Sequence, residues 1–304
     1  MKQISVISGK GGTGKTSLVG AFGNMARHPV LADCDVDASD LHLIVTPTTE
    51  RISPKVFRAG YMVELEPDIC IGCGECEPVC RFNAVKMVEN PADPEKQIPY
   101  FDPLACEGCG ACADVCPVEA IGLYEKEAGM LYIANTRFGP MVYAFLKAGE
   151  ANSGKLVTLV REHAKKLAES EDREIVLIDG SPGIGCPVIA SLAGVDSALI
   201  VTEPTVSGLH DLKRVAGVCN HFNIPAGVVI NKYDLNPEIS NQIESSCNEL
   251  NVTFLGGIPF APAFTEAMIE RKTIIEYENN GKITSLLREI WDKVVSFAEK
   301  KENS

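Results

Sequence analysis

Residues 4–16 read ISVISGKGGTGKT. Residues 4–8 form a short β-branched run that stops at a glycine-rich stretch, as a buried strand entering a tight loop would. Residues 9–16 fit G-x-x-x-x-G-K-[ST], and residues 16–27 suit a helix. Strand, loop and helix are the context that this motif requires. Its chemistry is phosphate binding. Glycines let backbone N–H groups close around phosphate oxygens, and the helix N-terminus adds a partial positive charge. Lys15 would reach the β- and γ-phosphates, and the Thr16 hydroxyl would ligate Mg²⁺.

Further along, strand and helix signals alternate. Residues 30–33 suit a second strand. Residues 153–168 place Leu156, Leu159, Val160, Ala164 and Leu167 at helical spacing. Residues 174–179 (EIVLID), 197–202 (SALIVT) and 226–231 (AGVVIN) read as buried strands, with helical patterns at 208–221 and 238–250. A last strand is expected at 252–258 and a closing helix at 283–300, ending in a frayed KKENS tail. Continuous Val/Ile/Leu strands separated by helices predict an α/β fold with a mostly parallel sheet flanked by helices.

This pattern is interrupted. Cys70, Cys73, Cys76 and Cys80 form C-x₂-C-x₂-C-x₃-C, and Cys106, Cys109, Cys112 and Cys116 repeat it, followed by Pro117. This is the spacing of bacterial 8Fe ferredoxins, in which the fourth Cys of each run ligates the other cluster. Cluster one would therefore take Cys70, Cys73, Cys76 and Cys116, and cluster two Cys80, Cys106, Cys109 and Cys112. Zinc sites more often pair two C-x₂-C halves across a long loop. In the first run Arg81 stands where the second has Pro117. A guanidinium there would raise the potential of cluster two or serve as a docking contact, or simply reach solvent. Residues 89–99, with Pro91, Pro94 and Pro99, read as a loop.

Charge follows the same partition. The chain of 304 residues has 41 Asp and Glu, 28 Lys and Arg, and a net charge of −13. Residues 61–127 hold 14 of the acids and only 4 of the bases, a net of −10, which leaves −3 for the rest. A small acidic, Cys-dense α+β piece at 61–127 is thus expected inside a near-neutral body formed by 1–60 and 128–304. The acid excess argues against a nucleic-acid protein, and 45% hydrophobic content argues against disorder. No run approaches the roughly 18–20 apolar residues of a membrane span, and no signal peptide is visible, so a cytoplasmic protein without stable membrane insertion is expected. Disulfides are rare in that compartment. Of the remaining cysteines, Cys219 and Cys247 fall in helical patterns and read as core. Cys34 and Cys186 adjoin acidic loop segments, where either a sensing or a buried role is possible.

Lys10 makes the loop KGGTGKT. Here the sequence resembles the deviant Walker A ATPases: MinD and ParA-type proteins, the nitrogenase iron protein and the Mrp group. The resemblance implies ATP and Mg²⁺ as ligands, ATP hydrolysis, and ATP-dependent dimerisation in which Lys10 reaches the other subunit's ATP. It implies a nucleotide-binding set of Gly9, Lys10, Gly11, Gly12, Thr13, Gly14, Lys15, Thr16 and Ser17. Asp33-Cys34-Asp35 matches the family's first switch, and Asp35 would orient the attacking water or help hold Mg²⁺. Asp33 and Asp37 are neighbours with no separable role. Asp179, before Gly180-Ser181-Pro182-Gly183, matches the second acidic motif and would reach Mg²⁺ through water. Asn231 stands where the family reads adenine, and Pro259 where it packs near the base. The implied catalytic set is Lys10, Lys15, Asp35 and Asp179.

The whole chain resembles members of this superfamily that carry an inserted ferredoxin domain with two 4Fe–4S clusters. The first expectation is an ATPase that couples nucleotide-dependent switching to low-potential electron transfer. One alternative is a cluster carrier or maturation ATPase of the Mrp type. Scaffold members of that group carry a C-x-x-C in the ATPase body, and none occurs outside the insert here. A further alternative is a MinD-like organiser with a redox-sensing module. Expected partners are a second copy or a related ATPase, and a redox protein with a basic docking face.

Overall fold

The computed structural model describes residues 1–150 and 153–299. The chain opens with β1 (Lys2–Ser8), buried from Gln3 onward, then α1 (Lys15–Met25), β2 (Pro29–Asp33), α2 (Leu41–Val45) and the two-residue β3 (Thr49–Glu50). β4 (Lys55–Leu65) leads into the cysteine region, which holds α3 (Cys76–Val79), β5 (Val85–Asn90), β6 (Asp93–Phe101) and α4 (Ala111–Asp114). The long β7 (Ile121–Asn135) and β8 (Pro140–Leu146) return to the body. Then follow α5 (Ser153–Ser170), β9 (Ile175–Pro182), α6 (Cys186–Leu192), β10 (Ser197–Thr202), α7 (Val206–His221) and β11 (Ala226–Asn231). The described chain closes with α8 (Pro237–Glu249), β12 (Thr253–Ile258), α9 (Ala263–Ile269), α10 (Ile274–Tyr277) and α11 (Lys282–Glu299). The KKENS tail lies outside the described residues. No described helix is long and apolar enough to cross a membrane.

Two compact units result. The first comprises Met1–Lys55, Met130–Leu146 and the described part of Ser153–Ser304. Its strands run in the order β12-β11-β10-β1-β9-β2-β8-β7-β3. From β12 to β8 every pairing is parallel, and β3 pairs antiparallel with β7. β2, β10 and β11 are buried along their whole length, as a sheet covered by helices on both faces requires. On one face Phe22 of α1 stacks on Trp291 of α11 at 5.1 Å between centroids. Residues 180–182, beyond the strand expected at 174–179, continue β9 in the structure.

The second unit is Val56–Gly129 with the described part of Lys147–Asn152. It thus starts before residue 61, ends after 127 and takes in a second segment. Polar ties explain that segment: Lys147 N–H donates to Ala128 O at 2.8 Å, and Lys126 pairs with Glu150 at 2.8 Å. The expected loop at 89–99 is instead the β5–β6 antiparallel hairpin. Pro94 and Pro99 sit in β6, and a two-stranded sheet has only edge strands, where proline's missing N–H is tolerated. The small core of this unit is Cys76, Val85, Cys112 and Ile121.

Candidate nucleotide site and iron–sulfur centres

The loop between β1 and α1 is shaped by its glycines. Gly14 caps α1 with a φ of +85°, and a Cβ there would collide with the amide nitrogen of Asn231. Only glycine meets both demands. Asn231 Nδ2 in turn donates to Thr13 O at 2.8 Å, fastening the end of β11 to the loop. A cavity of ≈ 570 Å³ opens above the loop, within the range of small-molecule sites. Of the residues expected to bind nucleotide, Gly11, Gly12, Thr13, Gly14, Lys15, Thr16, Ser17, Asn231 and Pro259 line it. Gly9 and Lys10 do not.

Lys15 is the charge at its centre. It is 5% exposed, with Nζ 2.5 Å from Asp179 Oδ1 and 3.6 Å from Asp35 Oδ2. Burial works against its charge, but Asp179, Asp35 and Asp33 outweigh that and hold the ammonium above its ordinary pKa. Burial pushes the Asp179 carboxyl upward, with Lys15 opposing. Among the described residues its second oxygen, Oδ2, is buried without a hydrogen-bond partner. A buried carboxylate oxygen left orphaned costs free energy unless a ligand meets it, so this atom fits a hydrated Mg²⁺.

The three aspartates at and just beyond the end of β2 separate cleanly. Asp33 is fully buried, and its Oδ2 accepts from Ser39 Oγ at 2.8 Å and Leu41 N at 3.2 Å, its Oδ1 from Asp35 N at 3.1 Å. Burial, with Asp179 adding, pushes it up to about 8. Asp33 therefore shapes the loop. Asp35 lines the cavity and faces Lys15; burial pushes it up to about 6 against the pull of Lys15. Asp37 lines the cavity too, as does Asp40, which sequence reasoning did not single out. Phe260, Phe264 and Met268 are further lining residues it missed. An apolar segment opposite the loop would have been the signal.

Lys10 Nζ lies 3.2 Å from Glu203 Oε2, while Lys232 Nζ lies 2.6 Å from Glu203 Oε1. Cys34 is fully buried, its thiol pushed far up by burial, and its carbonyl accepts from Ser181 Oγ at 2.7 Å. That is a structural cysteine. Cys186 is exposed at the start of α6, and Cys219 and Cys247 are buried in α7 and α8.

In the second unit, Cys70, Cys73, Cys76 and Cys116 line one small cavity, and Cys80, Cys106, Cys109 and Cys112 line another. Each fourth cysteine thus lies with the first three cysteines of the other run. The two halves mirror each other. Ala84 N–H donates to Cys80 Sγ at 3.4 Å and Ala120 N–H to Cys116 Sγ at 3.2 Å. Such bonds stabilise thiolate ligands. Gly108, at a φ of +63°, packs so tightly that a Cβ would strike the carbonyl of Tyr61. Among the described residues no three His, Cys, Asp or Glu gather closely enough for a single metal ion; each cysteine set is spread around a cavity instead. Arg81 is exposed.

Comparison with known proteins agrees with this partition. A family model of the 4Fe–4S dicluster domain matches residues 69–120. The Pyrococcus furiosus cell division ATPase MinD superposes with a TM-score of 0.57 at 19% identity, covering 97% of this chain and 98% of that one. A ParA family ATPase from Chlorobium tepidum gives 0.54 at 14% identity, covering 97% and 98%. Fold and cysteine sites together define a P-loop protein of MinD/ParA architecture with a 4Fe–4S dicluster domain. The uncharacterized protein MJ0578 of Methanocaldococcus jannaschii is 33% identical over 300 residues, 97% of each chain. This chain belongs to the same family as MJ0578. A second protein of that organism, uncharacterized MJ0579, is 27% identical over 283 residues, 92% of this chain and 93% of its own.

Proposed function

We propose that the protein hydrolyses ATP and couples nucleotide-dependent switching to electron transfer through two 4Fe–4S clusters. The observation that carries this reading is Lys15, buried against Asp179 and Asp35 at the mouth of a phosphate loop, in a chain that also holds two complete four-cysteine sets. Phosphoryl transfer depends on positioning and charge stabilisation more than on covalent chemistry. Backbone N–H groups of residues 11–14 would hold the phosphates, and Lys15 would leave Asp179 for the β/γ oxygens. Thr16 and Asp179 are the residues that would hold Mg²⁺, which neutralises developing charge. Asp35 would orient the attacking water. Lys10 would exchange Glu203 for the nucleotide of a second copy or of a related ATPase. The clusters would supply one-electron chemistry at Cys70, Cys73, Cys76 and Cys116, and at Cys80, Cys106, Cys109 and Cys112.

The test compares ATPase rates of the oxidised and reduced protein while iron content is followed through turnover. A rate that changes on reduction, with iron retained, is expected. ATP-stimulated transfer of labelled iron to an apo-acceptor would instead favour a cluster carrier. Lys15→Ala should abolish hydrolysis and leave the visible cluster absorbance unchanged, because no cysteine lines the nucleotide cavity.

A further inference from the structure

The strand that carries Asp179 has an irregular ladder. β9 pairs in parallel with β1, Val6 opposite Asp179 and then Ser8 opposite Pro182. Two steps along β1 thus answer three along β9, which makes a β-bulge at residues 180 and 181. Such an insertion bends a strand and re-aims a side chain. Gly180 permits the close approach: a Cβ there would lie 2.7 Å from Ile7 Cγ2 and 2.9 Å from Ser191 Oγ. Past the bulge, Gly183 N–H donates to Ser8 O at 2.8 Å and keeps the strand end beside the phosphate loop.

The side chain at the bulge is Ser181, 3% exposed. On its other edge β9 pairs with β2 as far as Asp33 opposite Asp179. Cys34 N–H then donates to Asp179 O at 2.8 Å. Ser181 continues the tie with its side chain, Oγ donating to Cys34 O at 2.7 Å. That carbonyl and Asp35 N–H belong to one planar peptide group. The Asp35 N–H donates to Asp33 Oδ1 at 3.1 Å. Peptide 34–35 is therefore gripped at both ends, by Ser181 and by Asp33, and the grip fixes how the chain enters Asp35. Asp35 Oδ2 lies 3.6 Å from Lys15 Nζ and Asp179 Oδ1 lies 2.5 Å from it. One bulged segment thus carries Asp179 directly and holds Asp35 through a hydroxyl. Ser181 also borders the cavity, but a hydroxyl has one proton to donate, and Cys34 O takes it.

We propose that Ser181 is a positioning residue for phosphoryl transfer: its hydroxyl clamps peptide 34–35 and so holds Asp35 in place beside Asp179 and Lys15. The inference rests on reading Asp35 as the group that orients the attacking water. Steady-state ATP hydrolysis by the anaerobic holoprotein tests it, in wild type, Ser181→Ala, Asp35→Ala and the double variant. A misplacement of about 1 Å can cost on the order of 10²-fold in rate, so Ser181→Ala should lower kcat at least about tenfold with KM within about threefold. Because Ser181 acts through Asp35, the double variant should turn over within about twofold of Asp35→Ala. Should the Ala protein fail to fold, Ser181→Cys keeps the volume with only a weak donor and should show the same loss of kcat. Unchanged kcat in a folded Ala or Cys protein, with Asp35→Ala inactive, would overturn the proposal. So would a further loss in the double variant as large as in Ser181→Ala alone, which would mean that the hydroxyl acts on the nucleotide itself. Wild-type kcat in Asp35→Ala would instead sink the reading of Asp35 beneath it.

Discussion

Asp33 and Asp35 are two residues apart, yet their surroundings give them different work. Asp33 satisfies Ser39 Oγ, Leu41 N and Asp35 N from a fully buried position. Replacing it by Ala strands these donors, and each buried unsatisfied donor costs about 1–3 kcal/mol. Asp33→Ala should therefore lower the melting temperature by several degrees. Asp35 makes one long ion pair with Lys15 at 3.6 Å and lines the cavity. Asp35→Ala should suppress turnover with little change in melting. Equal melting losses in the two variants would refute this division. Among the cysteines, Cys80 lines only the cavity with Cys106, Cys109 and Cys112. Cys80→Ser should thus remove cluster two alone, leaving about four of eight irons by metal analysis. Loss of all iron would mean that the two centres do not assemble independently.

At the scale of elements, Arg137 in the β7–β8 turn is a node. Its Nε donates to Glu276 Oε1 at 2.5 Å, and its Nη2 to Glu276 Oε2 at 2.7 Å, Ile44 O at 2.8 Å and Arg271 O at 3.2 Å. It ties the end of α2 to the capping box of α10. Burial opposes the charge of Glu276, but Arg137 and the Thr273 N–H and hydroxyl overcome it and lower its pKa. A carboxylate with a lowered folded pKa contributes stability above its ordinary value of 4.5, which is lost as pH falls through the lowered one. Arg137→Met should cost about 1–3 kcal/mol at pH 7, measured by urea unfolding, and the gap should narrow on acidification below 4.5. A pH-independent gap would assign the loss to packing over Phe138, 4.7 Å away.

Elements of this kind were the hard ones to read in the sequence. β10 and β11 stand where their unbroken apolar runs place them. The phosphate loop and the cysteine runs were legible because their chemistry demands fixed spacing. α2 and α10, of five and four residues, are too short to show a helical period. β6 is exposed along most of its length and carries prolines, so neither alternation nor composition marks it as a strand.

The whole molecule is two electrostatic objects on one chain. Residues 61–127 carry −10 of a total of −13, before the ligands are counted. A 4Fe–4S core with four thiolates adds roughly −2 when oxidised, so two of them deepen the field. β7 runs from Ile121 to Asn135 as one strand through the boundary near Gly129, which is why a cut judged from composition alone misplaces the domain edge by a few residues. The charge asymmetry has a kinetic consequence. Fields of this kind change encounter rates by about 10–10³, and salt removes the effect as the Debye length falls from about 10 Å at 0.1 M to 3 Å at 1 M. The probes are a cationic viologen and an anionic quinone sulfonate of matched potential, both reduced, with bleaching of the visible cluster absorbance as the readout. At low ionic strength the cationic reductant should be the faster by tenfold or more, and the two rates should converge in 1 M salt. Reversing an insert carboxylate such as Glu107, which lines the cavity of cluster two, to lysine should shrink the ratio at low salt only. Rates independent of both salt and reductant charge would mean that the acid excess does not reach the clusters, and would remove the argument for a partner with a basic docking face.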